Sequence, residues 1–84
     1  MSAGRVLVVD DDAEMCALLD AGLGTRGFEV TTRTSGDAAI ALLDGTDFDA
    51  IVVDLNMPGT SGLDVSSWVA ANRADTPVVV ITAF

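Results

Sequence analysis

Eighty-four residues allow one hydrophobic core and no second domain, and half of them are apolar without repeats or low-complexity runs, which excludes a disordered or fibrous chain. Thirteen acidic residues against four arginines, with no lysine or histidine, give a net charge of −9; such a surface repels nucleic acid and anionic membranes, and the missing histidine removes the usual general base and the commonest zinc ligand. The aliphatic runs are too short to cross a bilayer, and the amino terminus meets acid where a secretory leader would stay apolar, so the sequence predicts a cytoplasmic protein that binds neither nucleic acid nor membrane.

Residues 5–9, RVLVV, form an aliphatic run without alternation, as in a strand covered on both faces, and the run drives straight into Asp10, Asp11 and Asp12. Helical spacing follows: Met15, Leu18, Leu19 and Leu23 fall at i, i+3, i+4 and i+8, Asp11 and Glu14 have the spacing of a carboxylate capping box, and a stop is expected near Gly27. Cys16 lies inside that pattern and reads as a small buried apolar residue. Residues 28–32, FEVTT, make a short β-branched strand, after which Thr34 and Asp37 repeat the capping-box spacing ahead of Ala39, Leu42 and Leu43.

Residues 49–54, DAIVVD, are a second continuous aliphatic strand, followed by a loop with Pro58, Gly59 and Gly62. Ser61 and Asp64 cap a third helix running to about Asn72, with Leu63, Val69 and Ala70 as core candidates and Trp68 as a partly covered aromatic. Pro77 then opens VVVIT, read as a fully buried strand. The order is β-α-β-α-β-α-β, which implies parallel pairing, right-handed crossovers and an open α/β sheet with helices on both faces.

In such a sheet the carboxyl ends of all strands lie along one edge, and ligands bind where the strand order reverses. Asp10, Asp11, Asp54 and Thr82 all sit at carboxyl ends of predicted strands. If the strands 5–9 and 50–54 are neighbours, their terminal carboxylates share one crevice and raise each other's pKa unless a cation is present. An all-oxygen donor set that keeps water suits Mg²⁺. Asp54, a lone acid followed by an adaptable loop, is the best nucleophile toward phosphorus; Asp10 and Asp11 suit the metal, Asp12 suits a helix cap, and the Thr82 hydroxyl can bond a phosphoryl oxygen.

At these residues the sequence resembles the receiver domains of bacterial two-component response regulators. The motifs are VLVVDDD at the first strand, DAIVVDLNMPGTSGLD around the third and VVVITA at the fourth, in the family's order and approximate spacing. The resemblance implies a flavodoxin-like receiver over residues 1–84, with sheet order 2-1-3-4-5 and the ligand crevice between the first and third strands. It also implies that Asp54 accepts the phosphoryl group of a sensor histidine kinase or phosphotransfer protein, and that Asp11 ligates Mg²⁺ directly while Asp10 acts largely through water. The backbone carbonyl of Asn56 would complete the protein ligands, and Thr82 would be the switch hydroxyl.

The sequence departs from the family pattern in having no lysine and in reaching, by Phe84, neither a fifth strand nor the last two helices. The resemblance is therefore to the amino-terminal part of a receiver, incomplete after the fourth strand, and residues 78–82 are expected to form an exposed aliphatic edge. Such an edge is expected either to pair with another chain as a homodimer or strand-exchanged oligomer or to belong to a longer polypeptide; a light-scattering mass equal to one chain, with cooperative unfolding, would count against self-association. Two rival functions follow from the same residues. A haloacid-dehalogenase-like phosphatase would use Asp10 as nucleophile with Asp12 as its partner, and a non-catalytic receiver-like interaction module would bind without accepting a phosphoryl group.

Overall fold

In the computed structural model, which describes residues 2–82, the chain runs β1 (Gly4–Val9), α1 (Ala13–Gly24), β2 (Phe28–Arg33), α2 (Gly36–Gly45), β3 (Ala50–Asp54), α3 (Gly62–Asn72) and β4 (Val78–Ile81). Every strand pairing is parallel and the order across the sheet is β2-β1-β3-β4. Parallel neighbours cannot be joined by a tight turn, so each connection carries a helix, and the alternation of aliphatic runs with helical spacing produces this open flavodoxin-like sheet. The chain passes from β1 outward to β2, then crosses back over β1 to β3. The order therefore reverses between β1 and β3.

Successive strand residues point to opposite faces, and two cores result. On one face Leu7, Val9, Ile51 and Val53 pack with Ala39 and Leu43 of α2, Val65 and Val69 of α3, and the loop residues Phe48 and Met57. On the other, Val6 and Val8 pack with Cys16 of α1, and Leu19, Leu23, Phe28, Val30, Ala50 and Val52 close around them. The first core is the larger because two helices cover it, whereas among the described residues α1 alone covers the second.

This division explains where the periodicity misleads. With 100° between residues, the α1 stripe centres on Cys16, Leu19 and Leu23, which turns Leu18 away by roughly 130° and leaves it exposed. In α3 the stripe is Gly62, Val65 and Val69, so Leu63 and Ala70, both expected in the core, face outward. Of the two expectations for residues 78–82, full burial fails and an exposed edge is what the described sheet has. Within the described sheet β4 is an edge strand, with Val79 53% and Val80 43% exposed; Val79 shares the face of Val52, beyond the reach of α1.

The Asp11–Glu14 and Thr34–Asp37 capping boxes do not form, whereas Asp12, also expected to suit a cap, takes that role at α1. Asp12, not Asp11, caps α1, its carboxylate accepting from the Glu14 and Met15 amides, and Ser35, not Thr34, caps α2 by accepting from Ala38 N. The third is as expected: Ser61 and Asp64 form a reciprocal capping box at α3. The segment entering β3 is tied down by two arginines. Arg5 donates its backbone N–H to Asp49 Oδ2 at 2.7 Å and sets its guanidinium over the Phe48 ring, while Arg73 Nε lies 3.1 Å from Asp47 Oδ1. Asp47 is 88% exposed, so that ion pair adds little stability and serves mainly to place the strand entry.

Candidate functional site

The reversal between β1 and β3 brings three carboxylates together. Asp10 immediately follows β1, and its backbone N–H donates to Arg33 O at 3.1 Å, which continues the β1–β2 ladder by one residue and fixes Asp10 at the sheet edge. Asp54 is the last residue of β3; Leu55 N, donating to Ile81 O at 2.8 Å, locks the same level of the sheet to β4. One carboxylate oxygen from each of Asp10, Asp11 and Asp54 lies within 4.8 Å of the other two. Asp10 and Asp54 are 2% and 5% exposed, whereas Asp11 faces solvent.

Backbone amides hold two of these side chains in position. Asp10 Oδ1 accepts from Asp12 N at 2.9 Å, and Asp54 Oδ1 accepts from Asn56 N at 3.1 Å. Each bond spans two residues and fixes the plane of its carboxylate. Asp12 stands in the run of acids but turns its own carboxylate to the first turn of α1, leaving the cluster to Asp10, Asp11 and Asp54.

Burial raises the pKa of Asp10 above its ordinary value; the Asp12 N–H offsets part of this, and the charges of Asp54, Asp11 and Asp12 add to the rise. Among the described residues the only ion pair is Arg73 with Asp47, remote from this edge, so no arginine neutralises the cluster. Three anionic oxygens, two of them on buried residues, with no cationic side chain paired to them, fit a hard divalent ion that takes oxygen ligands and retains water. The Cys16 thiol lies beneath the site, donating to Asp10 O at 3.3 Å; burial, followed by the charge of Asp10, pushes its pKa up, which marks a structural rather than a reactive cysteine.

The other two predicted residues lie at the same edge. Asn56 is exposed and presents its backbone N–H to Asp54. Thr82 follows Ile81, the β4 partner of Asp54, and is exposed. The loop from 55 to 61 passes over the edge into α3, and Gly62 crosses so close to β3 that a Cβ there would stand 2.9 Å from both Asp54 C and Leu55 Cα. Sequence reasoning placed Gly62 in a turn but not against the backbone of Asp54. It also gave no sign that Thr60 Oγ1 hydrogen-bonds Asp37 Oδ1 at the start of α2, a pairing across 23 positions.

The family model of the response regulator receiver domain matches residues 6–84. Transcriptional regulatory protein TcrA of Mycobacterium tuberculosis is 41% identical over 83 residues, covering 99% of this chain and 33% of that protein, and transcriptional regulatory protein PrrA of Mycobacterium leprae is 45% identical, covering 99% and 36%. The chain thus spans about one third of the length of these curated relatives. Response regulator protein TrrA of Thermotoga maritima, solved in complex with Mg²⁺-BeF, superposes on all of this chain and 71% of its own with a TM-score of 0.92 at 32% identity. TrrA in complex with the histidine kinase ThkA superposes with a TM-score of 0.89, again at 32% identity. With the reversal of strand order between β1 and β3, the carboxylates gathered there and a family match over nearly its whole length, this chain belongs to the receiver domains of two-component response regulators.

Proposed function

We propose that Asp54 accepts a phosphoryl group from the phosphohistidine of a sensor histidine kinase or phosphotransfer protein, with Mg²⁺ held by Asp10, Asp11, Asp54 and the backbone carbonyl of Asn56. The observation that carries this reading is the gathering of three carboxylate oxygens within 4.8 Å at the strand-order reversal. An oxygen of the Asp54 carboxylate attacks phosphorus, the P–N bond of the donor breaks with its electron pair left on the imidazole nitrogen, and an acyl phosphate forms on Asp54. Bound Mg²⁺ supplies neutralisation of charge on the transferring oxygens. The Asn56 N–H keeps the Asp54 carboxylate from rotating, and burial of Asp54 limits its competing hydration. Thr82, one strand away at the same edge, donates its hydroxyl to a phosphoryl oxygen and so acts as the switch hydroxyl, moving toward the phosphoryl group. The TrrA complexes with Mg²⁺-BeF and with a histidine kinase support this assignment by likeness.

The test is binding of beryllofluoride, a phosphoryl mimic, followed by fluorine NMR: bound signals are expected only with Mg²⁺ present. An interaction module without phosphoryl acceptance would bind Mg²⁺ and give no bound fluoride. The phosphatase reading is disfavoured because the Asp12 carboxylate is engaged as the α1 cap.

Asp10 makes the site sensitive to pH. For a carboxyl whose folded pKa is raised, the folded state is favoured by the proton: its contribution to stability is full below the ordinary value of 3.8 and is lost as pH rises through the raised value. Mg²⁺ binds the ionised form and reverses the trend. Thermal melts from pH 3 upward are therefore expected to show Mg²⁺ stabilisation growing with pH across this window. Asp10→Asn should remove the Asp10 contribution, melt higher than the parent without metal near neutral pH, and bind Mg²⁺ about tenfold more weakly or worse.

A further inference from the structure

The loop from 55 to 61 must hold still if it is to keep Asn56 against Asp54, yet it contains Pro58 and Gly59 and runs along the surface. Its anchors can be followed residue by residue. Asn56 N is bonded to Asp54 Oδ1, and Met57 is buried in the core with Val53 and Val65. Ser61 N is bonded to Asp64, which belongs to the helix the loop leads into. Among the described residues one hydrogen bond alone ties the stretch from 57 to 61 to an element outside β3 and α3: Thr60 Oγ1 donating to Asp37 Oδ1 in the first turn of α2. Asp37 has no ion-pair partner there, so its carboxylate is free to serve as this acceptor.

A second contact at the same point shows that the approach is built in. Gly36, buried and adjacent to Asp37, lies under Thr60: a Cβ on Gly36 would stand 2.8 Å from Thr60 Cγ2 and closer still to the Thr60 carbonyl oxygen. Two consecutive α2 residues thus receive one loop residue, Gly36 through a missing side chain and Asp37 through a hydrogen bond. Four positions separate Thr60 from Asn56, and buried Met57 lies between them, so displacement of Thr60 is passed to the amide that orients the Asp54 carboxylate.

We propose that Thr60 and Asp37 form a latch that positions the loop beside Asp54 and so sets phosphoryl-site affinity; they are positioning residues that touch neither the phosphoryl group nor the metal. This rests on the reading of Asp54 as phosphoacceptor. Thr60→Val keeps the methyl and the volume but removes the donor, Thr60→Ser restores the donor, and Asp37→Ala removes the acceptor. On the full chain, beryllofluoride affinity by fluorine NMR is expected to fall about fivefold in Thr60→Val and in Asp37→Ala, the effect of one lost hydrogen bond, with Thr60→Ser near the parent. The double variant Thr60→Val/Asp37→Ala should be no worse than either single one, because both remove the same bond. Retained thermal midpoints in Thr60→Ser and Asp37→Asn, which keeps an acceptor oxygen, separate the latch from general loss of folding.

Equal beryllofluoride affinity in Thr60→Val and the parent overturns the latch, as does an equal loss in Thr60→Ser or additive losses in the double variant. Failure of the parent itself to bind beryllofluoride with Mg²⁺ overturns the assignment of Asp54 instead, so the two failures are distinguishable.

Discussion

Asp54→Asn is expected to take up no phosphoryl group from acetyl phosphate, measured by intact mass, while the parent gains one in the presence of Mg²⁺. Asparagine matches aspartate in shape, and its amide oxygen can still accept the Asn56 N–H, so the loop should remain in place. What is lost is the anionic oxygen that attacks phosphorus. Asp12→Asn is the control. Its carboxylate caps α1, and asparagine caps a helix about as well as aspartate, so labelling should persist. The rival phosphatase chemistry predicts the opposite pattern, with labelling intact in Asp54→Asn and lost when Asp10 or Asp12 is changed. Removing the Asp54 charge also removes one of the influences that raise the Asp10 pKa, so metal-free Asp54→Asn should show a weaker loss of stability with rising pH than the parent.

Gly62→Ala is expected to be the most damaging single-methyl change in the chain. The added Cβ would lie 2.9 Å from Asp54 C and Leu55 Cα, and these atoms are backbone, held on their other side by the Leu55 N to Ile81 O bond. They cannot yield as a side chain yields; either α3 lifts away from β3, uncovering Val65 and Val69, or the end of β3 shifts. A cost of about 3 kcal/mol or more follows, and denaturant titration measures it directly. A displacement of about 1 Å at Asp54 would lower phosphoryl uptake about a hundredfold even in the molecules that fold. Gly22→Ala provides the contrast, since nothing lies within 4 Å of a Cβ there and the residue is inside α1. That change should stabilise by about 0.5–1 kcal/mol and leave uptake unchanged.

The difference between these two glycines shows what the sequence could reveal and what it could not. Strand and helix order was legible because aliphatic runs and helical spacing alternate, and once the strands are parallel their acidic ends must share an edge; that the first and third strands are neighbours, which joins Asp10 to Asp54 across 44 positions, followed only from the family resemblance. At α1 the sequence offered both Asp11 and Asp12, and at α2 it favoured Thr34 over Ser35, because adjacent residues are equally competent caps and the choice depends on where the preceding strand lets go of the sheet. Leu18 and Leu63 were misjudged for a related reason. Spacing identifies a stripe, but only the crossing of helix over sheet fixes which edge of the stripe is covered. The close approaches of Gly62 to Asp54 and of Gly36 to Thr60, and the bond from Thr60 to Asp37, have no periodicity and leave no signal along the chain.

The gathering of Asp10, Asp11 and Asp54 around one cation is tested most directly with Mn²⁺, a paramagnetic substitute for Mg²⁺, added at substoichiometric amounts to the ¹⁵N-labelled chain. Broadening of amide signals should be centred on residues 10–12 and 54–56 and should be reversed by excess Mg²⁺. Broadening spread evenly over the exposed acids, such as Asp20, Asp44, Asp47 and Asp75, with none at Asp54, would contradict the account.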